Sequence, residues 1–124
     1  MVTIGQILDS IDKMYPNNFD AATKIAWLSE LDGKVHLEIL KTHEGDVPEF
    51  SGYDYETDLD TQLLIPSPFA SGVYTRYLEM MIDQEYKEID RYNQSAALYN
   101  SAYLEFANWY NRTHMPLSSG AFKF

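Results

Sequence analysis

The stretch that decides the fold is Leu78–Tyr110, which reads LEMMIDQEYKEIDRYNQSAALYNSAYLEFANWY. Apolar residues recur in it at every third or fourth position: Leu78, Ile82, Tyr86, Ile89, Tyr92, Ala96, Tyr99, Tyr103, Phe106 and Tyr110. This spacing places them on one side of an α-helix. No proline or glycine interrupts the stretch, and a single helix of this length would run roughly 50 Å. We therefore predict either one long bent helix or two helices joined by a turn between Asp83 and Ser95.

A first short helix is predicted to begin at the N-terminal end of the chain. Thr3 and Gln6 have the spacing of a capping box, in which each side chain bonds the other residue's backbone N–H. The apolar face of this helix is formed by Ile4, Ile7, Leu8, Ile11 and Met14. Tyr15 and Pro16 are expected to end it.

A second helix is predicted to begin at Asn18 or Asp20, either of which is a good N-cap. Its apolar stripe, flanked by Trp27, is Ile25, Leu28, Leu31, Val35 and Ile39. Gly33 lies inside this helix and costs about 1 kcal/mol relative to alanine. The glycine therefore indicates close packing or a bend. Basic residues at Lys41 and His43 and a stop at Gly45 are typical of its C-terminal end.

The segment Glu44–Asp60 contains seven acidic residues and no lysine or arginine. Glycine and proline break any helical pattern, so we predict an irregular loop held in place by four apolar side chains: Val47, Phe50, Tyr53 and Tyr55. Its acidic residues Asp54, Glu56, Asp58 and Asp60 lack the mid-loop glycine and closing glutamate of a calcium loop. They are therefore interpreted as an exposed acidic loop.

A short β element is predicted at Gln62–Ile65, where it would pair near Tyr53. Ser67 is expected to cap the third helix, with Pro68 as its first residue. The whole pattern predicts a mainly α fold, a small bundle of about four helices. We assign residues 1–116 to a single helical domain and residues 117–124 to a flexible C-terminal tail.

Composition and motifs narrow the function. The 124-residue chain has no cysteine and a formal net charge of −10, with 19 acidic against 9 basic residues. Gripping a phosphate backbone needs lysine and arginine, so DNA binding is not expected. No phosphate loop, nucleophile elbow or zinc-type histidine spacing is present. We predict no enzyme activity, no cofactor and no metal site, and, since no apolar run reaches membrane-spanning length, no membrane partner.

Three stretches together resemble a known family. They are Lys24–Lys34; Leu63–Phe69 followed by Tyr77 and Leu78; and Glu88–Ser95, continued by Tyr99–Tyr103 and Phe106–Arg112. In this order and spacing they resemble small head–tail connector (adaptor) proteins of tailed bacteriophages and prophages. The resemblance covers residues 16 to 116, and none of its motifs is catalytic.

The resemblance implies a structural protein of the virion, made in the cytoplasm of the host bacterium and placed at the head–tail junction. It implies a homo-oligomeric ring beneath the portal protein that extends the DNA channel and receives the next connector or tail protein. DNA would pass without specific binding, because acidic walls offer phosphates no contacts.

Aromatic side chains on the helices and in the tail are the candidates for contacts between subunits, since tyrosine combines a large apolar body with a polar tip. They are Trp27, Tyr92, Tyr99, Tyr103, Trp109, Tyr110, Phe122 and Phe124. The alternative hypothesis is an acidic DNA mimic that inhibits a DNA-binding enzyme of the host. It rests on the net charge, although a mimic needs its acids spread over one long face.

Overall fold

The computed structural model describes residues 2–40 and 49–113. Their helices are α1 (Ile4–Met14), α2 (Ala21–Val35), a π-helical segment (His36–Leu40) that continues α2, α3 (Phe69–Glu85) and α4 (Ile89–Thr113). The prediction of a mainly α fold, a bundle of four helices, is confirmed. The proposed C-terminal tail, with Phe122 and Phe124, lies outside the described residues, as do Lys41, His43, Gly45 and Val47.

The start of α1 is the predicted capping box. The backbone N–H of Gln6 donates to Thr3 Oγ1 over 3.2 Å, and the backbone N–H of Thr3 donates to Gln6 Oε1 over 3.0 Å. Two donors that a helix start leaves without partners are thereby satisfied. The helix ends at Met14, directly before Tyr15, as expected.

Of the two caps predicted for α2, the structure uses Asp20, whose Oδ1 accepts from the N–H of Thr23 over 2.9 Å. The Gly33 position is not closely packed, because a Cβ placed there would lie 3.9 Å from the Phe50 ring, an ordinary contact. The departure from α-helical geometry begins three residues later, at His36.

The long apolar stretch forms two helices, and a turn at Tyr86–Glu88 reverses the chain. Lys87 adopts the left-handed conformation, with φ of 58°. The N–H of Glu88 donates to the carbonyl of Asp83 and that of Lys87 to the carbonyl of Gln84, both over 3.1 Å. This pair of bonds is a Schellman motif, which ends a helix without needing proline. As a result Tyr86 and Ile89, two members of the predicted stripe, lie at the turn and are exposed.

One hydrophobic core joins all four helices. It includes Ile4 and Ile11 from α1, Leu28 from α2, Leu78 from α3 and Phe106 from α4, each of which is 0% exposed. The whole predicted stripe of α2 is buried, as is Trp27. Helix α4 packs mainly on α3, and α1 and α2 pack on α3 and on each other.

The segment between α2 and α3 differs from prediction in three ways. Gln62 forms a single antiparallel bridge with Thr3, and the N–H of Leu63 donates to the carbonyl of Val2 over 2.8 Å. This pairing with the N-terminus replaces the β element expected near Tyr53. Tyr55 is 74% exposed and does not hold the loop in place, whereas Phe50 and Tyr53 pack together with their ring centroids 5.1 Å apart.

The third difference is at the start of α3. The helix begins at Phe69, its N-cap is Pro68, and no side chain caps it. Ser67 is therefore not the cap. The first N–H groups, those of Phe69 and Ala70, both donate to the carbonyl of Pro66 over 3.1 Å. The backbone carbonyl of Pro66 therefore accepts the hydrogen bonds that the Ser67 hydroxyl was expected to accept.

We expect Lys87→Gly to raise the free energy of unfolding by up to about 1 kcal/mol. A side chain at positive φ is strained, and glycine at this position of a Schellman motif is not. The control is Gln84→Gly, three residues earlier inside α3, which should lower stability by about 1 kcal/mol. Urea unfolding of both variants measures the difference, and equal losses would show that the turn is not strained at Lys87.

Candidate interaction surfaces

A row of three tyrosines lies along the contact of α3 and α4. The ring centroids of Tyr77 and Tyr99 are 5.2 Å apart, and those of Tyr99 and Tyr103 are 5.9 Å apart. The ammonium of Lys34 lies 4.6 Å from the Tyr103 ring centroid, and the Tyr103 hydroxyl donates to Glu38 over 3.4 Å. Charged residues at the exposed edge of α2 and the π-helical segment thus cover this tyrosine row.

Burial and nearby carboxylates keep these phenols protonated. Burial, followed by the carboxylate of Glu30, raises the pKa of Tyr77 to about 12. Burial is also the largest cause of the raised pKa of Tyr99 and of Tyr103, and the Glu38 carboxylate adds to both. The tyrosine row therefore offers hydroxyl donors and apolar surface, not phenolate chemistry.

A second aromatic cluster closes the far end of the same helix pair. Phe69 lies 5.1 Å from Trp109 and 6.0 Å from Phe106 between ring centroids, and Phe106 lies 5.9 Å from Tyr110. Phe106 and Tyr110 are buried, and Phe69 and Trp109 are partly buried against the core.

The structure thus places the predicted interface residues largely inside the fold. Trp27, Tyr99 and Tyr110 are buried, and Tyr103 and Trp109 are partly buried. Tyr92 is also partly exposed, near the turn between α3 and α4. Packing within one chain accounts for the aromatic spacing of α4, so that spacing alone is not a signal for a partner. Their role in subunit contacts stays a prediction.

The outer face of α4 has a different composition. We use this name for its exposed side chains between Tyr92 and Asn111: Asn93, Gln94, Ala97, Leu98, Asn100, Ser101, Leu104, Glu105 and Asn108. Glu105 is the one charged residue among them, in a chain of which 23% is charged. Leu104 and Leu98 are 58% and 41% exposed. The centre of a protein–protein interface contains fewer charged residues than the rest of a protein surface.

The predicted acidic loop is exposed at all four acids, Asp54, Glu56, Asp58 and Asp60. Two of them shape it: Asp54 Oδ1 accepts from the N–H of Glu56, and Asp58 Oδ1 accepts from the N–H of Asp60, each over 2.9 Å. The loop then joins α1, because the N–H of Gly5 donates to the carbonyl of Leu59 over 2.8 Å.

A buried carboxylate connects the loop segment to two helices. Asp32 of α2 is 0% exposed. Its oxygens accept from the hydroxyls of Tyr53 and Tyr74, each over 2.5 Å, and from the N–H of Leu64 over 3.1 Å. The Tyr74 hydroxyl in turn accepts from the N–H of Ile65 over 2.9 Å. We call this group the Asp32 hub.

Next to the hub, Gly52 has φ of 91°, and a Cβ there would come within 2.9 Å of Ser29 Oγ. Glycine lets the backbone approach α2, and the N–H of Tyr53 donates to that hydroxyl over 3.0 Å. Tyr53 therefore contacts α2 at both ends, through its backbone and through its phenol.

A polar cleft of about 330 Å³ opens between the end of α1, α3 and α4. Two of the chain's three arginines, Arg76 and Arg91, line it together with Gln94 and Leu98. We call it the arginine cleft. Its remaining lining residues are Tyr15, Glu79, Asp83 and Ser95.

The carboxylate of Asp83 is buried in this cleft, where it accepts from the hydroxyls of Tyr15 and Ser95. Burial, followed by the bond to Asp83, raises the pKa of Tyr15 to about 12. The spacing of Asp83 and Lys87, four residues apart, predicts an exposed pair of opposite charges on one helix face. That prediction is wrong, because Asp83 is 1% exposed. The turn at Lys87 brings Ser95 back over Asp83 and gives the carboxylate a donor.

Sequence reasoning missed the Asp32 hub and the arginine cleft. A signal was present for both, because Asp32 stands between Leu28, Leu31 and Val35, and Asp83 stands next to Ile82 in the apolar stripe. An acid on an apolar face needs partners when buried. Those partners come from Tyr53, Tyr74, Tyr15 and Ser95, which are 12 to 68 residues away.

Comparison with known proteins identified no relative. No family model, no curated protein and no solved structure matches the chain. Within residues 2–40 and 49–113, no group of three or more histidines and acids is placed to hold a metal ion. None of the described helices is long and apolar enough to cross a membrane.

We expect Tyr74→Phe to lower the free energy of unfolding by about 1–3 kcal/mol. The variant removes a donor from the buried Asp32 and leaves the N–H of Ile65 without its acceptor. The matched control is Tyr55→Phe, which removes an exposed hydroxyl and should change stability by less than about 0.5 kcal/mol. Thermal or urea unfolding compares the two, and similar small effects would contradict a structural role for the hub.

The pH dependence of the hub has an unusual sign. Burial raises the pKa of Asp32 above its ordinary value of 3.8, although its three hydrogen bonds act to lower it. A carboxyl group whose pKa is higher in the folded state contributes most below its unfolded pKa, and the contribution is lost as the pH rises through the folded pKa.

We therefore expect the stability advantage of the wild-type chain over Asp32→Asn to be largest in acid and to shrink toward neutral pH. Urea unfolding of both proteins from about pH 3 to pH 7 tests this, because the other acids titrate in both and cancel. An advantage that grows with pH would mean that the hydrogen bonds outweigh burial.

Proposed function

We propose that this protein is a structural subunit of a phage head–tail connector. It would form a ring beneath the portal protein, extend the DNA channel and receive the next connector or tail protein. The three stretches that resemble connector proteins support this: they correspond to α2, the segment leading into α3, and α4. The proposed location is the head–tail junction of the virion, reached from the bacterial cytoplasm.

The observation that carries the proposal is the outer face of α4. The most specific of the three stretches lies almost entirely in this helix, and between Tyr92 and Asn111 the exposed side of the helix carries one charge over about 27 Å of length. Two copies of a chain with net charge −10 repel each other wherever negative charges of one copy face those of the other. This long face with a single charge is therefore the surface best suited to contact a neighbouring subunit or the portal.

The exposed acids are consistent with the second part of the role. Among the described acids, only Asp32, Glu79 and Asp83 are buried. The others repel phosphates, so a channel that they line would let DNA slide without holding it.

We expect closed rings, in light scattering and negative-stain images of the concentrated protein or after addition of the portal protein. Leu104→Glu places a charge on the outer face of α4 and should prevent ring formation and portal binding. Leu37→Glu is the control, since Leu37 is similarly exposed, at 63%, but lies on the π-helical segment. A wild-type chain that stays monomeric and binds neither portal nor neighbouring connector would refute the proposal.

The DNA-mimic alternative is favoured by the net charge of −10 and by the exposure of the acidic loop. Against it, four of the exposed acids crowd into seven residues instead of spreading along one face. Displacement of DNA from a host DNA-binding enzyme, with no binding to a portal, would make this the better assignment.

A further inference from the structure

The acidic loop carries carboxylates alone, the arginine cleft carries two arginines beside two buried carboxylates, and the loop and the cleft lie at opposite ends of α1. The loop joins the start of the helix, where the N–H of Ile4 donates to the carbonyl of Thr61 over 3.0 Å. Tyr15, directly after the end of the helix, lines the cleft. The 11 residues of α1 separate them by about 16 Å. The loop of one copy therefore lies at the other end of α1 from the cleft of the same copy.

The two carboxylates in the cleft already have partners. Glu79 is paired with Arg76 over 3.2 Å and is 8% exposed. Asp83 is 1% exposed and is bonded to two hydroxyls. Both carboxylates therefore already have partners and leave little exposed surface to an incoming group.

The accessible part of the cleft is cationic. Arg91 is exposed and, among the residues that the structure describes, makes no ion pair. The Arg76 side chain is 43% exposed beside it, and Gln94 adds an exposed amide. A guanidinium has a planar set of donors that matches a carboxylate. The cleft is therefore suited to carboxylate side chains.

We infer that the arginine cleft binds the acidic loop of a second copy of this chain. Charge complementarity selects this occupant: the segment Asp54–Asp60 offers four exposed carboxylates without a basic residue. Two of its acids fix the backbone, and the carboxylate of Glu56 makes no hydrogen bond in the described part of the chain. The loop is shaped before it binds, which lowers the entropy cost of association.

This contact joins two different surfaces, so it is head-to-tail, and repeating it builds a ring or an open chain. It deepens the proposed function, on which it rests for its biological meaning, by naming which surfaces adjacent subunits use. The outer face of α4 begins at the edge of the cleft, because Gln94 and Leu98 belong to both.

The absence of cysteine makes the contact directly testable. The variant Tyr55→Cys/Gln94→Cys places one thiol on the loop and one at the cleft. With a short bismaleimide at low salt, we expect a ladder of dimers, trimers and larger species that fades as salt is added. The control Tyr55→Cys/Asn108→Cys moves the second thiol about 21 Å along α4 and should give no ladder. Cross-linking that stops at a dimer, or no cross-linking, would overturn the inference.

Charge reversal in the double-cysteine background separates this contact from nonspecific attraction. Arg91→Glu should reduce the ladder roughly tenfold or more, because like charges then face one another. Adding Glu56→Arg to it should restore the ladder, since each copy carries both altered surfaces. Arg112→Glu, an equal charge change at the other end of α4, should have no such effect. Circular dichroism confirms that each variant is folded.

The outcomes distinguish the contact from the connector role. Rings that form and bind a portal, while Arg91→Glu has no effect, would overturn the loop-in-cleft contact and leave the connector proposal in place. A charge-dependent ladder from a chain that binds no portal or connector would support the contact and remove the connector role.

Discussion

The fold depends on one buried carboxyl group. Asp32 has no exposed surface and, in the described part of the chain, no cation as a partner, so its oxygens rely on hydrogen bonds from Tyr53, Tyr74 and Leu64. An isolated carboxylate in a protein interior is costly, and only donors held at the correct distance offset that cost. The donors come from the loop segment and from α3. Folding of α2, placement of the loop and docking of α3 are therefore coupled at a single side chain.

That coupling explains why an irregular segment is ordered between two helices. Residues 49–65 contain no regular helix or strand, and isolated backbone of this kind loses entropy without the compensation of a hydrogen-bonded ladder. Here Ser29 and Asp32 of α2, together with Val2, Ile4 and Gly5 near the N-terminus, supply the missing partners. The exposed acids are then presented on a defined loop, which is the property that the proposed contact between copies requires.

The helices were predictable because their signals are local. Thr3 with Gln6 and Asp20 with Thr23 are bonded within a few residues, and the apolar stripes need only a helical period. The choice between one long helix and two was not predictable, because the turn residue is Lys87, which has no intrinsic preference for positive φ. Tertiary packing of Tyr99 and Phe106 onto α3 favours the reversal. The polar sites escaped prediction for the same reason: Asp32 and Asp83 are each completed by side chains far away in sequence.

The net charge of −10 is compatible with the proposed association of copies, because electrostatic repulsion between proteins is local. At physiological ionic strength charges are screened beyond about 8 Å, so a contact between copies feels the charges beside it and not the total of −10. The outer face of α4 places almost no charge beside such a contact, and the arginine cleft places positive charge there. Elsewhere the exposed carboxylates face solvent and keep phosphates away. The proposed contacts between copies therefore do not conflict with the net charge, and the same distribution of charge disfavours binding of nucleic acid.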